Sequence, residues 1–258
     1  LKILSLNAME HLKAIGFDLF NTLVTVEPQT MQEANERLIF TLKQNGFAIE
    51  GERFKKAHRE AAVKHLEECR KDGRETHNRF WISASLETCG YRISPEDPRI
   101  AEAVEGYFSA FYDYCHIIPG TTEMLGRVKE SFRLGMLTNF THGPAARKIL
   151  EQLGLGPFFD VILISGELGF RKPSPLVFQK LADRLEIEKE ELIYIGDDLE
   201  PDIIGAQNAG IQPIWFTFVR DHEIPFAAGI LSPRLGTPDG GVPRISHWQE
   251  LLVLLDQA

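Results

Sequence analysis

The chain has 258 residues, 43% of them hydrophobic and 25% charged, which suits one globular core domain carrying an insertion. A net charge of −9 argues against a general affinity for nucleic acid or anionic membrane surfaces, and no apolar stretch approaches the ~20 residues of a membrane span. Residues 1–11 lack the basic start and long apolar centre of a signal peptide, so a cytoplasmic location is expected, and the residues before Met9 are set aside from the fold reasoning.

Leu12 to Phe17 is an apolar run that reads as a short buried strand, with Asp18-Leu19-Phe20-Asn21-Thr22-Leu23 directly behind it. A carboxylate there lands at the C-terminal end of a strand, where open α/β sheets place their ligand crevice. It suits a nucleophile, a metal ligand or both, although a plain loop Asp with Asn21 and Thr22 completing the turn is compatible with these residues alone. After Leu23 to Val26 the pattern turns helical for about ninety residues. Helices are expected over Glu33 to Asn45, Gly51 to Lys71, Arg79 to Cys89 and Pro98 to Cys115, stopped by Gly46, Asp72-Gly73 and Gly90. Residues 28–118 therefore read as a small helical domain, inserted into a core built from 9–27 and 119–258. Cys69, Cys89 and Cys115 lie in or beside these helices. They fall outside any Cys-x-x-Cys pattern and signal neither a disulfide framework nor a zinc site.

From Pro119-Gly120 onward strands and helices alternate. Strands are expected at Arg133–Leu137, Val161–Ile164, Leu192–Ile195 and Ile214–Phe216. Helices are expected at Thr121–Glu130, Pro144–Leu153, Ser174–Glu186 and Asp202–Ala209, with a last one at Trp248–Leu255 after a Gly/Pro-rich loop over 229–243. Such alternation means βαβ units and a doubly wound parallel sheet, and the apolar strands are those of a sheet covered on both faces.

The residues just beyond these strands are Asp18, Thr138-Asn139, Lys172, and Asp197-Asp198 with Asp202. In a parallel sheet they share one edge. A carboxylate nucleophile, a hydroxyl, a fixed cation and further carboxylates are what phosphoryl transfer to Asp18 needs. The approach of two anions calls for a divalent cation, and hard oxygen ligands suit Mg²⁺.

Asp18 to Thr22, Thr138-Asn139, Lys172-Pro173-Ser174-Pro175 and Gly196-Asp197 through Asp202 resemble, in order, the four motifs of the haloacid dehalogenase (HAD) superfamily. The helical insertion resembles its C1-type cap. The resemblance implies a Rossmann-like α/β core and hydrolysis of a small phosphorylated substrate. It makes Asp18 the nucleophile and sets Thr138 and Lys172 on the phosphate. Mg²⁺ would be held by Asp18, the Phe20 carbonyl and Asp197, with Asp198 and Asp202 orienting the ligands or Lys172. Asn21, Thr22 and Asn139 are further substrate-site candidates.

The sequence departs from the family's phosphatases at Phe20, where they carry an Asp that protonates the leaving group. Loss of such a group costs about 10²–10⁴ in rate. That leaves a phosphohydrolase acting on good leaving groups such as acyl or aryl phosphates, or one borrowing an acid from His142, His65 or His77. It also admits a relative of the 2-haloacid dehalogenases, which carry an aromatic residue at this position and attack carbon in a halogenated substrate. Against the latter stand the acidic Asp197-Asp198, Phe178 where those enzymes have Tyr, and no matching cap Arg after the first motif. A weakly active binder of a phosphorylated ligand is a third reading. The polar turn Arg70 to Trp81 is the expected specificity segment, with Arg74 and Arg79 on an anionic group and Trp81 on an organic body. No nucleic-acid or membrane partner is expected, and the chain is expected to be a monomer or homodimer.

Overall fold

The computed structural model describes residues 11–224, 236–238 and 241–256. The expected lead before Met9 lies outside them, as does most of the expected loop over 229–243.

Strand β1 (Ala14–Phe17) is buried along its whole length and sits in the middle of a six-stranded sheet. Its neighbours are β4 (Arg133–Thr138) on one side and β6 (Leu192–Gly196) on the other, both parallel to it. Outside β4 lies β5 (Val161–Ile164), and outside β6 lie β7 (Gln212–Phe216) and β8 (Arg244–Ile245), giving the order β5-β4-β1-β6-β7-β8. The chain adds strands to one side of β1 and then crosses to the other, so the direction of winding reverses at β1. Loops leaving neighbouring strands part there and open a crevice at the strands' C-terminal ends.

Both sheet faces are covered. On one, α8 (Pro175–Leu185) and α9 (Gly205–Ala209) pack Val177, Phe178, Leu181 and Ala206 against Leu137 and Tyr194. The approach is close: a Cβ on Gly16 of β1 would stand 2.8 Å from the Tyr194 ring, so only glycine fits under that ring. The other face holds α5 (Thr121–Lys129), α6 (Gly143–Gln152) and α11 (Trp248–Asp256), with Phe17 edge-on to both Phe159 and Trp248.

Between β2 (Val24–Val26) and β3 (Cys115–Ile117) run four helices: α1 (Thr30–Gln44), α2 (Gly51–Asp72), α3 (Asn78–Thr88) and α4 (Pro98–Tyr114). Their ends carry legible stops and caps. Gly73 takes the left-handed conformation after α2, Glu50 accepts from the Glu52 and Arg53 amides at its start, and Asp97 caps α4 ahead of Pro98. β2 and β3 form an antiparallel pair through which the chain enters and leaves the insertion.

Three features differ from the sequence expectation. Residues Cys115–Ile117 form β3 instead of extending α4. A short helix α7 (Ser165–Leu168) follows β5. The helix expected from Asp202 begins earlier as a wide π turn over Leu199–Ile204. Pro201 has no amide to donate to an α-helical ladder, and both the Asp202 and Ile203 amides turn back to the Asp198 carbonyl.

Candidate active site

Asp18, Thr138, Lys172, Asp197 and Asp202 come together at the C-terminal edge of the sheet and line one crevice of about 230 Å³. Asp18 follows β1, and its amide continues the ladder to the Ile195 carbonyl at 2.9 Å. Asp197 follows β6, where Trp215 of β7 donates its indole N–H to the Asp197 carbonyl at 2.9 Å.

Lys172 stands at the centre. Its Nζ donates to Asp18 Oδ1 at 2.6 Å, Asp202 Oδ1 at 2.6 Å and the Tyr194 hydroxyl at 2.8 Å, so all three ammonium donors are engaged. Burial alone would lower the Lys172 pKa, but Asp18 and Asp202 outweigh it and hold the ammonium well above its ordinary range. Tyr194 passes the contact on by donating to the Leu137 carbonyl at 2.7 Å.

Asp202 is fixed through both oxygens, Oδ1 on Lys172 and Oδ2 accepting from the Asp198 amide at 2.9 Å. A Cβ on Gly196 would fall 2.4 Å from the Asp202 carboxyl carbon, so a glycine must precede Asp197 if Asp202 is to reach Lys172. Asp202 thus holds the Lys172 ammonium on one side while its other oxygen is tied to the backbone.

Asp197 is the opposite case. Its Oδ2 is buried without a hydrogen-bond partner, and burial, together with Asp202, Asp18 and Asp198, pushes its pKa well above the usual carboxylate range. Burial raises Asp18 to about 7 against the pull of Lys172, and burial with Asp202 raises Asp198 to about 6. Carboxylate oxygens of Asp18, Asp197 and Asp202 lie within 4.8 Å of one another. At that separation two ionised groups repel by roughly 3 kcal/mol in an effective dielectric of about 20. One ammonium does not neutralise this set. An orphaned hard oxygen beside a second carboxylate fits a divalent cation such as Mg²⁺.

The other expected residues divide. Asn21, held at φ 58°, lines the crevice, whereas Thr22 is wholly buried and does not. Asn139 lines the crevice too, but its amide is committed to the backbone of Lys172: Nδ2 donates to the Lys172 carbonyl at 3.0 Å, and Oδ1 accepts from the Lys172 amide at 2.9 Å. It clamps the lysine segment instead of reaching for a ligand. Arg74 is 74% exposed beside Asp72, and Arg79 pairs with Glu96 at 3.0 Å. Neither lines the crevice, because the Arg70–Trp81 turn presents other residues to it. Arg70, Asn78 and Trp81 line it from the insertion, joined by Arg171.

The candidate proton donors lie elsewhere. His77 Nδ1 accepts from the Arg79 amide, which leaves its Nε2–H to donate to His142 Nδ1 at 3.0 Å, and His142 bonds Glu105 at 2.7 Å. Neither ring lines the crevice, and His65 stands beside Glu68 on α2. Phe20 faces the crevice, its ring stacked on Phe140 at 5.1 Å and edge-on to Phe111 of α4 at 6.1 Å. Tyr194 was missed in the sequence because, inside an apolar strand, it is indistinguishable from core filling. Arg70 lies in the expected specificity segment but was not singled out there, and Arg171 carried no signal beyond ordinary surface charge.

A buried Asp, Lys and acidic pair at the switch point of a doubly wound sheet stand where open α/β folds bind their ligands. The chain belongs to the haloacid dehalogenase-like hydrolases, whose family profile matches residues 12–210. It is 29% identical over 217 residues to the glyceraldehyde 3-phosphate phosphatase of Pyrococcus furiosus, covering 84% of this chain and 85% of that enzyme. It is 28% identical to the ribulose-1,5-bisphosphate 5-phosphatase of Halopiger xanaduensis, covering 79% and 84%. Among solved structures, a 2-haloacid dehalogenase from Pseudomonas syringae superposes with a TM-score of 0.72 at 22% identity, covering 95% of this chain and 99% of that one. At that identity the likeness is one of fold.

Proposed function

We propose that the protein is a Mg²⁺-dependent phosphatase in which Asp18 attacks the phosphorus of a small phosphate ester and is released by water from the resulting aspartyl phosphate. The observation that carries this reading is the buried, partnerless oxygen of Asp197 beside Asp18. A metal-free site attacking carbon has no use for a second buried carboxylate, which would only repel an anionic substrate. The relatives named above, both phosphatases, support the same class of substrate.

Asp18, Asp197 and the Phe20 carbonyl would hold the ion, which when bound offsets the charge of the carboxylates and of the phosphate. Lys172, locked by Asp202 and Tyr194, presents fixed positive charge to the transferring group, and Thr138 supplies a hydroxyl at the end of β4. Residues 28–118 act as the cap, with Trp81 and Asn78 closing the crevice from above.

Hydrolysis of p-nitrophenyl phosphate, acetyl phosphate or glyceraldehyde 3-phosphate should require Mg²⁺, stop with EDTA, and fall by roughly 10³ or more in Asp18→Asn. Chloride release from 2-chloropropionate in EDTA, with no phosphate ester or acyl phosphate turned over in Mg²⁺, would replace this reading with the dehalogenase one.

A further inference from the structure

Beyond the acidic cluster the crevice changes character. Beside polar groups such as Asn78 and Thr141, its lining holds an aromatic face formed by Phe20 and Phe140 from the sheet edge and by Trp81, Tyr107, Phe108 and Phe111 from the insertion. These rings are already set by one another: Phe108 packs on Phe140 at 5.1 Å, Phe111 lies edge-on to Phe140 at 5.9 Å, and Tyr107 lies edge-on to Phe108 at 5.1 Å. The polar ends are engaged as well. The Trp81 indole N–H donates to the Thr76 hydroxyl at 3.1 Å, and Tyr107 points its hydroxyl at Met31 sulfur. The two arginines at the rim face carboxylates, Arg70 to Glu200 at 3.7 Å and Arg171 to Glu75 at 3.0 Å. A polyhydroxylated body packed on this aromatic face would leave its hydroxyls there unpaired. A flat apolar ring would find faces and edges to pack on.

A second, separate observation concerns the leaving group. Among the described residues lining the crevice there is no histidine, and the side chain two positions after Asp18 is the Phe20 ring. No imidazole stands among these lining residues to protonate a leaving alkoxide, whereas a phenolate, several pKa units less basic, leaves without that help. The size also fits. A cavity of about 150 Å³ takes a benzene ring, so 230 Å³ holds one ring and a phosphoryl group.

We infer that the preferred substrates are single-ring aryl phosphate monoesters, an inference that rests on the phosphatase reading above. Asp18 Oδ forms a bond to phosphorus as the P–O(aryl) bond breaks. The electron pair leaves on the phenolate oxygen, which takes its proton from solvent. Water then attacks the phosphorus, the P–O(Asp18) bond breaks with its electron pair returning to the Asp18 carboxylate, and the protons of that water leave on the released phosphate.

Two measurements on the full chain with Mg²⁺ test this. In the first, kcat/KM for phenyl phosphate should exceed that for glycerol 3-phosphate by at least about 100-fold, and across substituted phenyl phosphates it should fall steeply as the phenol becomes more basic. In the second, which needs no turnover, phenylphosphonate should bind at least about tenfold tighter than methylphosphonate in calorimetry, from burial of the ring. Equal binding of the two phosphonates, or glycerol 3-phosphate turned over as well as phenyl phosphate, overturns the aryl assignment and leaves the phosphatase reading standing. Failure of every phosphate ester and acyl phosphate to turn over, with phenylphosphonate still preferred, overturns the phosphatase reading and keeps the aryl-phosphonyl site.

Discussion

Asp197 is a buried carboxylate that weakens the fold that carries it. Its Oδ2 is buried among like charges with nothing to donate to it, and an unsatisfied buried group costs on the order of 1–2 kcal/mol. Asp197→Asn removes the charge while keeping the shape, so in EDTA the variant should melt a few degrees above the wild type, given a chain of this size. Added Mg²⁺ should raise the wild-type Tm and leave the variant's unchanged, which a thermal melt with and without the ion would show. A wild-type Tm indifferent to Mg²⁺ would speak against an ion at this position. The charged members of this cluster were legible from the sequence because Asp18 and Asp197 directly follow apolar strands, while Asp202 and Lys172 stand in the segments behind β6 and β5. For Asn139 and Thr22 the sequence is less decisive, because a polar residue next to a strand end serves the backbone as readily as a ligand, and the amide of Asn139 is committed to Lys172.

At the level of helices, α2 buries His58, and the half-buried His77 caps the start of α3. His58 stacks on Phe54, its Nε2 has no partner, and burial lowers its pKa to about 4; burial followed by His142 and Arg79 does the same for His77. An unfolded chain takes up these protons near pH 6.5, whereas the folded helices resist until about pH 4. Stability from these groups is therefore complete above pH 6.5 and falls as pH drops toward 4, by on the order of 2–3 kcal/mol for His58. Urea titrations at pH 7.5 and 4.5 should show a smaller acid loss for His58→Phe, which keeps an aromatic ring in the stack, than for the wild type. These helices were readable in the sequence from their apolar spacing and their glycine stops. β3 was not, because Cys115-His116-Ile117 is three residues long and has no alternation to betray it. The side of the α2–α3 turn that faces the crevice was likewise hidden: Arg70, Arg74 and Arg79 look alike in sequence, and packing against the sheet edge selects Arg70.

For the molecule as a whole, the important contact is the one between insertion and sheet. A single apolar cluster runs from Ile15 and Phe17 under the sheet through Phe20 and Phe140 to Phe108, Phe111 and Phe54 in the helices. His77–His142 and Glu75–Arg171 add polar ties across the same seam. Heating should accordingly give one calorimetric transition with equal calorimetric and van't Hoff enthalpies; two resolved transitions would mean that the helices melt on their own. Yet the route by which the insertion joins the rest is slender. Val26 and Cys115 face each other across the β2–β3 ladder, and the Glu27 amide still reaches the Tyr114 carbonyl at 3.1 Å. Two antiparallel strands so placed are a hairpin lacking only its turn, and a two-residue Asn-Gly link is the connection such strands favour. The helical segment is in this sense a cassette. An ancestor could gain, lose or exchange it at that single point without disturbing the order of the sheet, at the cost of baring the Phe20 and Phe140 rings to water.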